Sequence, residues 1–395
     1  MSGARPGVRP RLAFILVTIF LDMAGFAMVA PLLPLYVQSR AGGALLAGAL
    51  GSVYAVMQAL GAPLIGSAAD RWGRRRVLVA CLLGTFVAYL GVGLSRTLVG
   101  LFGAVAFGGF MGGSFATAQA FIADGAGPAE RTRWLGFAGA ASGLGIAVGP
   151  VIGGFLGARG LEAPAFVAAG IALANALFGL LVIRDFAPPA GPAADRQNLR
   201  INPVRGLIDV FGRPGLRPLL LTLAALNLSF SGLPITFPLF SRARFGWTPL
   251  DNGMFFAFIG ACAVLTQGFL VGRVAPLVGE TRLAALGVGM AMAAFPFAAL
   301  APAAWMLYPV LGLVAIGTGL GVPSLMSLVA HGAPEAGVGR VMGGVQSVLS
   351  ACMVAGPGLA GAAYETIGPA APYWMGAGFA AAALLIVVLS RKRGA

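Results

Sequence analysis

Long runs of apolar residues follow one another along the chain, separated by short breaks that carry Gly, Pro and Arg. A helix needs about 20 mostly apolar residues to cross a bilayer. The runs therefore predict twelve spanning helices, at 12–37, 46–68, 77–95, 98–123, 134–157, 164–183, 217–240, 252–272, 282–300, 303–330, 340–363 and 371–390. The first, Leu12 to Tyr36, is too long for a removable signal peptide and lacks an A-x-A cleavage pattern, so it is expected to remain as helix one. The fold class expected is an all-α integral membrane protein.

Charge supports this division. Twelve spans put both termini on one side, and the 26 Lys and Arg residues then fall 21 on that side and 5, Arg40, Arg96, Arg159, Arg242 and Arg244, on the other. The positive-inside rule places both termini in the cytoplasm, and the location expected is the cytoplasmic (inner) membrane. With 58% hydrophobic and 10% charged residues the chain cannot present a soluble surface, which is roughly 25–35% charged. The net charge of +14 is spread over separate short loops without interleaved aromatics, so topology and anionic headgroups account for it, and no nucleic-acid partner is expected. Cys81, Cys262 and Cys352 fall inside spans as small packing residues, and His331 is the lone histidine. This inventory assembles neither a metal site nor a catalytic triad, so no enzyme activity and no cofactor are expected.

One long polar break, 184–216, holds Pro188, Pro189, Pro192 and Pro203 and reads as a cytoplasmic linker between six-helix bundles at 1–183 and 217–395. A shift of about 206–207 residues aligns the two. Gly66, Gly73 and Arg76 fall on Gly272, Gly279 and Arg282; Arg133 falls on Arg340; and Gly149-Pro150 falls on Gly356-Pro357. Parallel repeats about an axis along the membrane normal are a geometry in which a central site can open alternately to each side, so the duplication points to transport.

Three motifs sharpen this. The break after helix two reads Gly66-Ser67-Ala68-Ala69-Asp70-Arg71-Trp72-Gly73-Arg74-Arg75-Arg76. Its glycines permit a tight turn, and Asp70 can accept hydrogen bonds from a helix N-terminus or from Arg74. Helix five carries Gly145-x-x-x-Gly149-Pro150-x-x-Gly153-Gly154, a small-residue face that a neighbouring helix can approach closely, with a proline bend. Helix one carries Leu21-Asp22-x-x-Gly25 followed by Pro31 and Pro34. At 1.5 Å per residue Asp22 lies about 15 Å past Leu12, near the middle of the hydrocarbon core. An ionised carboxylate there is costly unless it faces water or a cation, and it marks a functional pathway or a structural hydrogen bond to a neighbouring helix.

Together these strings resemble the major facilitator superfamily, and most closely its twelve-helix drug/proton antiporter branch, which includes the tetracycline exporters. The resemblance implies two pseudo-symmetric six-helix bundles, no enzymatic activity, and proton-coupled transport. It implies that Asp22 handles the coupling proton. It also implies that Gly66, Asp70, Arg71, Gly73 and Arg74 act in gating with Asp124 as partner of the charge cluster, and that Gly145, Gly149, Pro150, Gly153 and Gly154 form a seam that shapes the gate. Pro276 stands where the second half would repeat Asp70, so the cluster is expected to be asymmetric. Two departures restrain what the resemblance implies: Val105 occupies the position of a helix-four arginine that influences proton coupling in many relatives, and Thr85 to Tyr89 offer no acid within helix three, where tetracycline exporters tend to have one, so tetracycline itself is not the substrate expected.

Spacing of three and four places Thr18, Gly25, Phe26 and Val29 near the face of Asp22. The other candidates for the substrate wall are Gln58, Met111, Gln119, Asn227, Phe230, Gln267 and Gln346, polar or adaptable residues inside spans. A lone acid among apolar groups favours a lipophilic cation or neutral amphiphile over a sugar or an anion. The function expected is proton-coupled efflux of such small molecules by a monomer whose partners are substrate, protons and lipid. Uptake of a nutrient by a facilitator or symporter stays open because of Val105. A non-transporting receptor or lipid scramblase would be expected to carry an added soluble domain or long tail.

Overall fold

The computed structural model describes residues 8–126, 128–182, 210–213, 215–333 and 338–394. Twelve helical segments are long and apolar enough to cross a membrane. In chain order they are α1 (Leu12–Ser39), α2 (Ala44–Trp72), α3 (Arg74–Leu94), α4 (Leu98–Gly125), α5 (Arg133–Gly157) and α6 (Ala163–Leu181). They continue as α7 (Arg217–Phe245), α8 (Pro249–Val278), α9 (Glu280–Leu300), α10 (Ala304–His331), α11 (Val341–Thr366) and α12 (Ala371–Leu389). The largest difference from the sequence reading is at α8, which runs six residues past 272. Arg273 ends the apolar run there, yet a helix need not stop at the membrane border, and this one continues to Gly279. Most of the linker 184–216 lies outside the described residues.

Two compact units emerge. One comprises Met1–Ala41, Val53–Asn198 and Thr248–Ala257, and the other Gly42–Ser52, Leu199–Trp247 and Phe258–Ala395. The start of α8 therefore packs with the first unit and the start of α2 with the second.

Several spans are interrupted where the sequence weakens the ladder. In α1 a short 3-10 turn, Ala30–Leu32, precedes Pro34. In α4 the helix stops at Met111 and resumes at Ser114, because Gly112 and Gly113 lie between. In α7 it stops at Ser231 and resumes at Leu233, across Gly232. In α8 the five residues Thr266–Leu270 form a π turn, a feature that often accompanies function.

The sequence repeat has a backbone counterpart. Gly73 has φ 92° and ψ 139° as it leads into α3, and Gly279 has φ 84° and ψ 144° as it leads into α9. Residues with a Cβ adopt that region only at a cost of about 1–3 kcal/mol. Gly73→Ala and Gly279→Ala should each lower thermal stability by that order, whereas Gly66→Ala, whose new methyl would meet nothing within 4 Å, should not. Thermal unfolding of the three purified variants in detergent checks this.

Within the first unit, α5 lies against α1 along its glycines. A Cβ on Gly145 would come within 2.7 Å of the Phe20 carbonyl oxygen, on Gly149 within 2.6 Å of the Ala24 oxygen, and on Gly153 within 2.2 Å of the Met28 oxygen. Positions four apart share a helix face, so the three glycines form one flat strip on which the backbone of α1 rests. Gly154 is turned away from that strip, toward Pro249, Leu250 and Gly253 at the start of α8.

Candidate functional site

The strip fixes α1 and with it Asp22, in the first half of the span. Asp22 is half-buried. Ser114, the first residue after the break in α4, donates its hydroxyl to Asp22 Oδ2 at 2.5 Å. The break matters here: it leaves Ser114 at the start of the resumed helix, where its buried side chain meets α1. Among the described residues no cationic side chain pairs with Asp22. The phenols of Tyr54 on α2 and Tyr89 on α3 both lie within electrostatic reach of the Asp22 carboxylate, and Tyr89 within reach of Tyr54. The position of a Cβ on Gly25, one turn from Asp22, is 3.6 Å from the Tyr89 ring. Phe26 and Tyr54 face one another with ring centroids 5.6 Å apart and planes tilted by 31°. A Cβ on Gly112 would sit 3.1 Å from the Gln58 amide nitrogen and 3.4 Å from the Tyr54 hydroxyl. Asp22, Phe26, Tyr54, Gln58, Tyr89 and Ser114 thus gather from four helices of the first unit.

This arrangement offers one carboxylate without a built-in counterion among the described residues, held by the Ser114 hydroxyl, with the phenols of Tyr54 and Tyr89 in its vicinity. Such a carboxylate can take a proton or accept a cation, and aromatic faces attract cations as well. Ser114, Tyr54 and Tyr89 were not among the sequence candidates. Their signals were faint: Tyr54 stands one turn before Gln58, and Ser114 follows the Gly112-Gly113 pair.

The remaining candidates are placed less uniformly. Thr18 is 1% exposed and its carbonyl accepts from Asn175 of α6 at 3.1 Å, so it sits in a packed interface and not on an open wall. Val29 is buried as well. Met111 lies across α3, its side chain filling the space that a Cβ on Gly84 would need. Gln119 is half-buried further along α4. In the second unit Asn227 is buried and donates to the Leu223 carbonyl of its own helix at 3.1 Å, which satisfies the amide locally. Phe230 is half-buried, while Gln267, within the π turn, and Gln346 are exposed.

At the end of the first unit that carries the arginine-rich motif, Arg74 forms an ion pair with Asp124, donating through Nε to Oδ2, and also lies 3.5 Å from Asp70. Arg74 therefore joins α2, α3 and α4. Asp70 and Arg71 are exposed, and Arg75 donates to the carbonyls of Gly179 and Leu180 at the end of α6. Arg131 closes the end of α4 by donating to the Ala123 carbonyl at 2.7 Å.

Comparison with known proteins decides the family. Residues 15–351 match the family model of the Major Facilitator Superfamily. The chain belongs to that superfamily. This major facilitator protein is 31% identical over 346 residues to the tetracycline resistance protein, class E, of Escherichia coli, covering 87% of this chain and 85% of that one. It is 30% identical over 389 residues to the class C protein of Escherichia coli, covering 97% of each. Among solved structures it resembles the human organic anion transporter MFSD10, with a TM-score of 0.69 and 25% identity over 97% of this chain and all of that one. It also shares the fold of the nucleoside transporter NupG, with a TM-score of 0.79 at 13% identity over 96% and 99% of the two chains. It is a multi-pass membrane protein and a secondary transporter of small molecules, as its family and its twelve spans require.

Proposed function

We propose that this transporter is a proton-coupled antiporter that exports lipophilic cationic small molecules by alternating access. In this reading it works as a monomer in the cytoplasmic membrane, with both termini in the cytoplasm. Its six-helix halves in this reading are 1–183 and 217–395, joined by 184–216. The observation that carries the reading is Asp22: a half-buried carboxylate without a cationic partner among the described residues, bonded to Ser114 and edged by Tyr54 and Tyr89. The names of the tetracycline resistance proteins support export of a drug-like molecule.

In this mechanism deprotonated Asp22 receives the cation from the cytoplasmic side, with the aromatic rings supplying contact area and cation–π attraction. The carrier then opens outward, a proton takes the carboxylate, and the cation leaves. Competition for one group is what couples the two flows, since a ligand shifts a conformational equilibrium only through its differential affinity for the two states. The ion pair of Arg74 with Asp124, together with the glycine strip of α5, serves as the gate machinery. Val105, apolar and buried, removes a cation from α4 and leaves Asp22 to act without one.

Purified protein in liposomes with an imposed pH gradient tests the proposal. A fluorescent lipophilic cation and the internal pH are followed together. Antiport predicts proton flux triggered by the cation and opposite to it in direction. Flux in the same direction as the cation would make this a symporter, and cation movement with no proton flux would make it a facilitator.

A further inference from the structure

The alignment of Gly73 with Gly279 continues into the residues that follow. Arg74, which opens α3, aligns with Glu280, which opens α9; Asp124, near the end of α4, aligns with His331 at the end of α10. The two places are built alike, with the signs of the charges exchanged. In the first unit Arg74 is paired with Asp124. In the second, Glu280 Oε1 accepts the Ser327 hydroxyl at 2.6 Å, Glu280 Oε2 lies 3.5 Å from His331 Nδ1, and Ser327 Oγ lies 3.5 Å from the same nitrogen. Arginine is always charged, whereas histidine acquires its charge only by taking a proton.

We propose that Glu280, Ser327 and His331 form a second protonation site of this chain, separate from Asp22. A proton on His331 makes the tie between α9 and α10 that Arg74 and Asp124 make unconditionally between α3 and α4. Glu280 is the acid that faces the imidazole, and His331 lies in the last turn of α10. Among the described side chains, the other charged groups near this end are arginines, including half-buried Arg213 just before Leu216, which lies against Gly332. Arg273 of α8 donates to the Phe269 carbonyl, Arg217 of α7 donates to the Phe211 carbonyl, and Arg282 is exposed two residues past Glu280. The sign follows from linkage: a cation held by a carboxylate contributes while the histidine is protonated, and its contribution is lost as pH rises through the titration of that histidine. The pair is solvated, with His331 75% exposed, so the tie changes the balance between conformations by about two- to five-fold. The site itself does not depend on Asp22 or on the substrate. With the topology proposed above, the site faces the cytoplasm.

The chain has a single histidine, so labelling histidine with carbon-13 gives one imidazole signal, provided that the affinity tag contains none. That signal is followed in the full-length protein in nanodiscs from about pH 5 to about pH 8, the range in which histidine titrates. Glu280→Gln should move the signal recorded at about pH 5, where the imidazole is charged and faces the carboxylate, Ser327→Ala should move it by less, and Asp22→Asn should leave the series unchanged. Superimposable series in wild type, Glu280→Gln and Ser327→Ala would overturn the site. Exchange of tetraphenylphosphonium at equal pH on both sides then reads its consequence: His331→Lys, charged at every pH, should flatten the pH profile. An unaltered profile in that variant would overturn the link to transport. Absence of any tetraphenylphosphonium exchange in the wild type would count against the proposed substrate class and leave the imidazole titration to decide the site.

Discussion

Asp22→Asn should abolish gradient-driven efflux while leaving the protein folded. Asparagine matches aspartate in shape, and its amide oxygen can still accept the Ser114 hydroxyl that reaches Asp22 at 2.5 Å, so the contact between α1 and α4 survives. The group that exchanges a proton is gone. Coupling between two ligands is commonly worth about 5–150-fold in affinity, and loss of all of it reduces cation-triggered proton release to background. Movement of the cation down its own gradient should persist at a reduced rate, because the aromatic contacts of Phe26, Tyr54 and Tyr89 remain. The variant is checked in the same liposomes as the wild type, with thermal unfolding to establish that it is folded. Undiminished proton-driven efflux would remove Asp22 from the mechanism and return attention to the second unit.

Gly149→Ala and Gly153→Ala should each destabilise the protein, and the double variant should lose transport. In an isolated helix the same change stabilises by about 1 kcal/mol, because alanine is the better helix former. The steric effect opposes this and is larger. New methyl groups would stand 2.6 Å from the Ala24 oxygen and 2.2 Å from the Met28 oxygen, both backbone atoms that move only if α1 moves. Overfilling a packed interface typically costs about 1–3 kcal/mol, and neighbouring substitutions on one face do not simply add. Gly139→Ala on the same helix, with nothing within 4 Å of the new methyl, is the control and should be neutral or stabilising. Thermal midpoints measured in one detergent separate the two classes. Equal behaviour of Gly139→Ala and Gly149→Ala would mean that the strip is not a contact.

The spans were legible in the sequence because bilayer thickness sets the length of an apolar run, and most predicted ends lie within a few residues of the helices. Ends set by something else were not. The end of α8 is set by the backbone of Gly279 and not by the charge of Arg273. Asp22 was legible because an acid in mid-span has few innocent explanations. Its company was not, since Ser114, Tyr54 and Tyr89 come to it from three other helices and only packing brings them there. Thr18 shows the converse. Spacing along a helix puts it near Asp22, but α1 touches α4, α5 and α6 on different sides, and Thr18 lies on the side toward Asn175. The glycines of α5 could be named from sequence as a seam, yet the helix they receive could not.

The resumed part of α4, Ser114–Gly125, holds Asp22 with its first residue and Arg74 with its last turn, through Asp124. Twelve helical residues make a rod about 18 Å long, hinged at Gly112-Gly113 and loaded at both tips. Under the proposed mechanism, a change of proton occupancy at the Asp22 tip would be passed along this rod to the charged end of the bundle. In mechanical terms the segment would then act as a lever with its fulcrum at the two glycines, and stiffening that fulcrum should uncouple the input from the output without touching either.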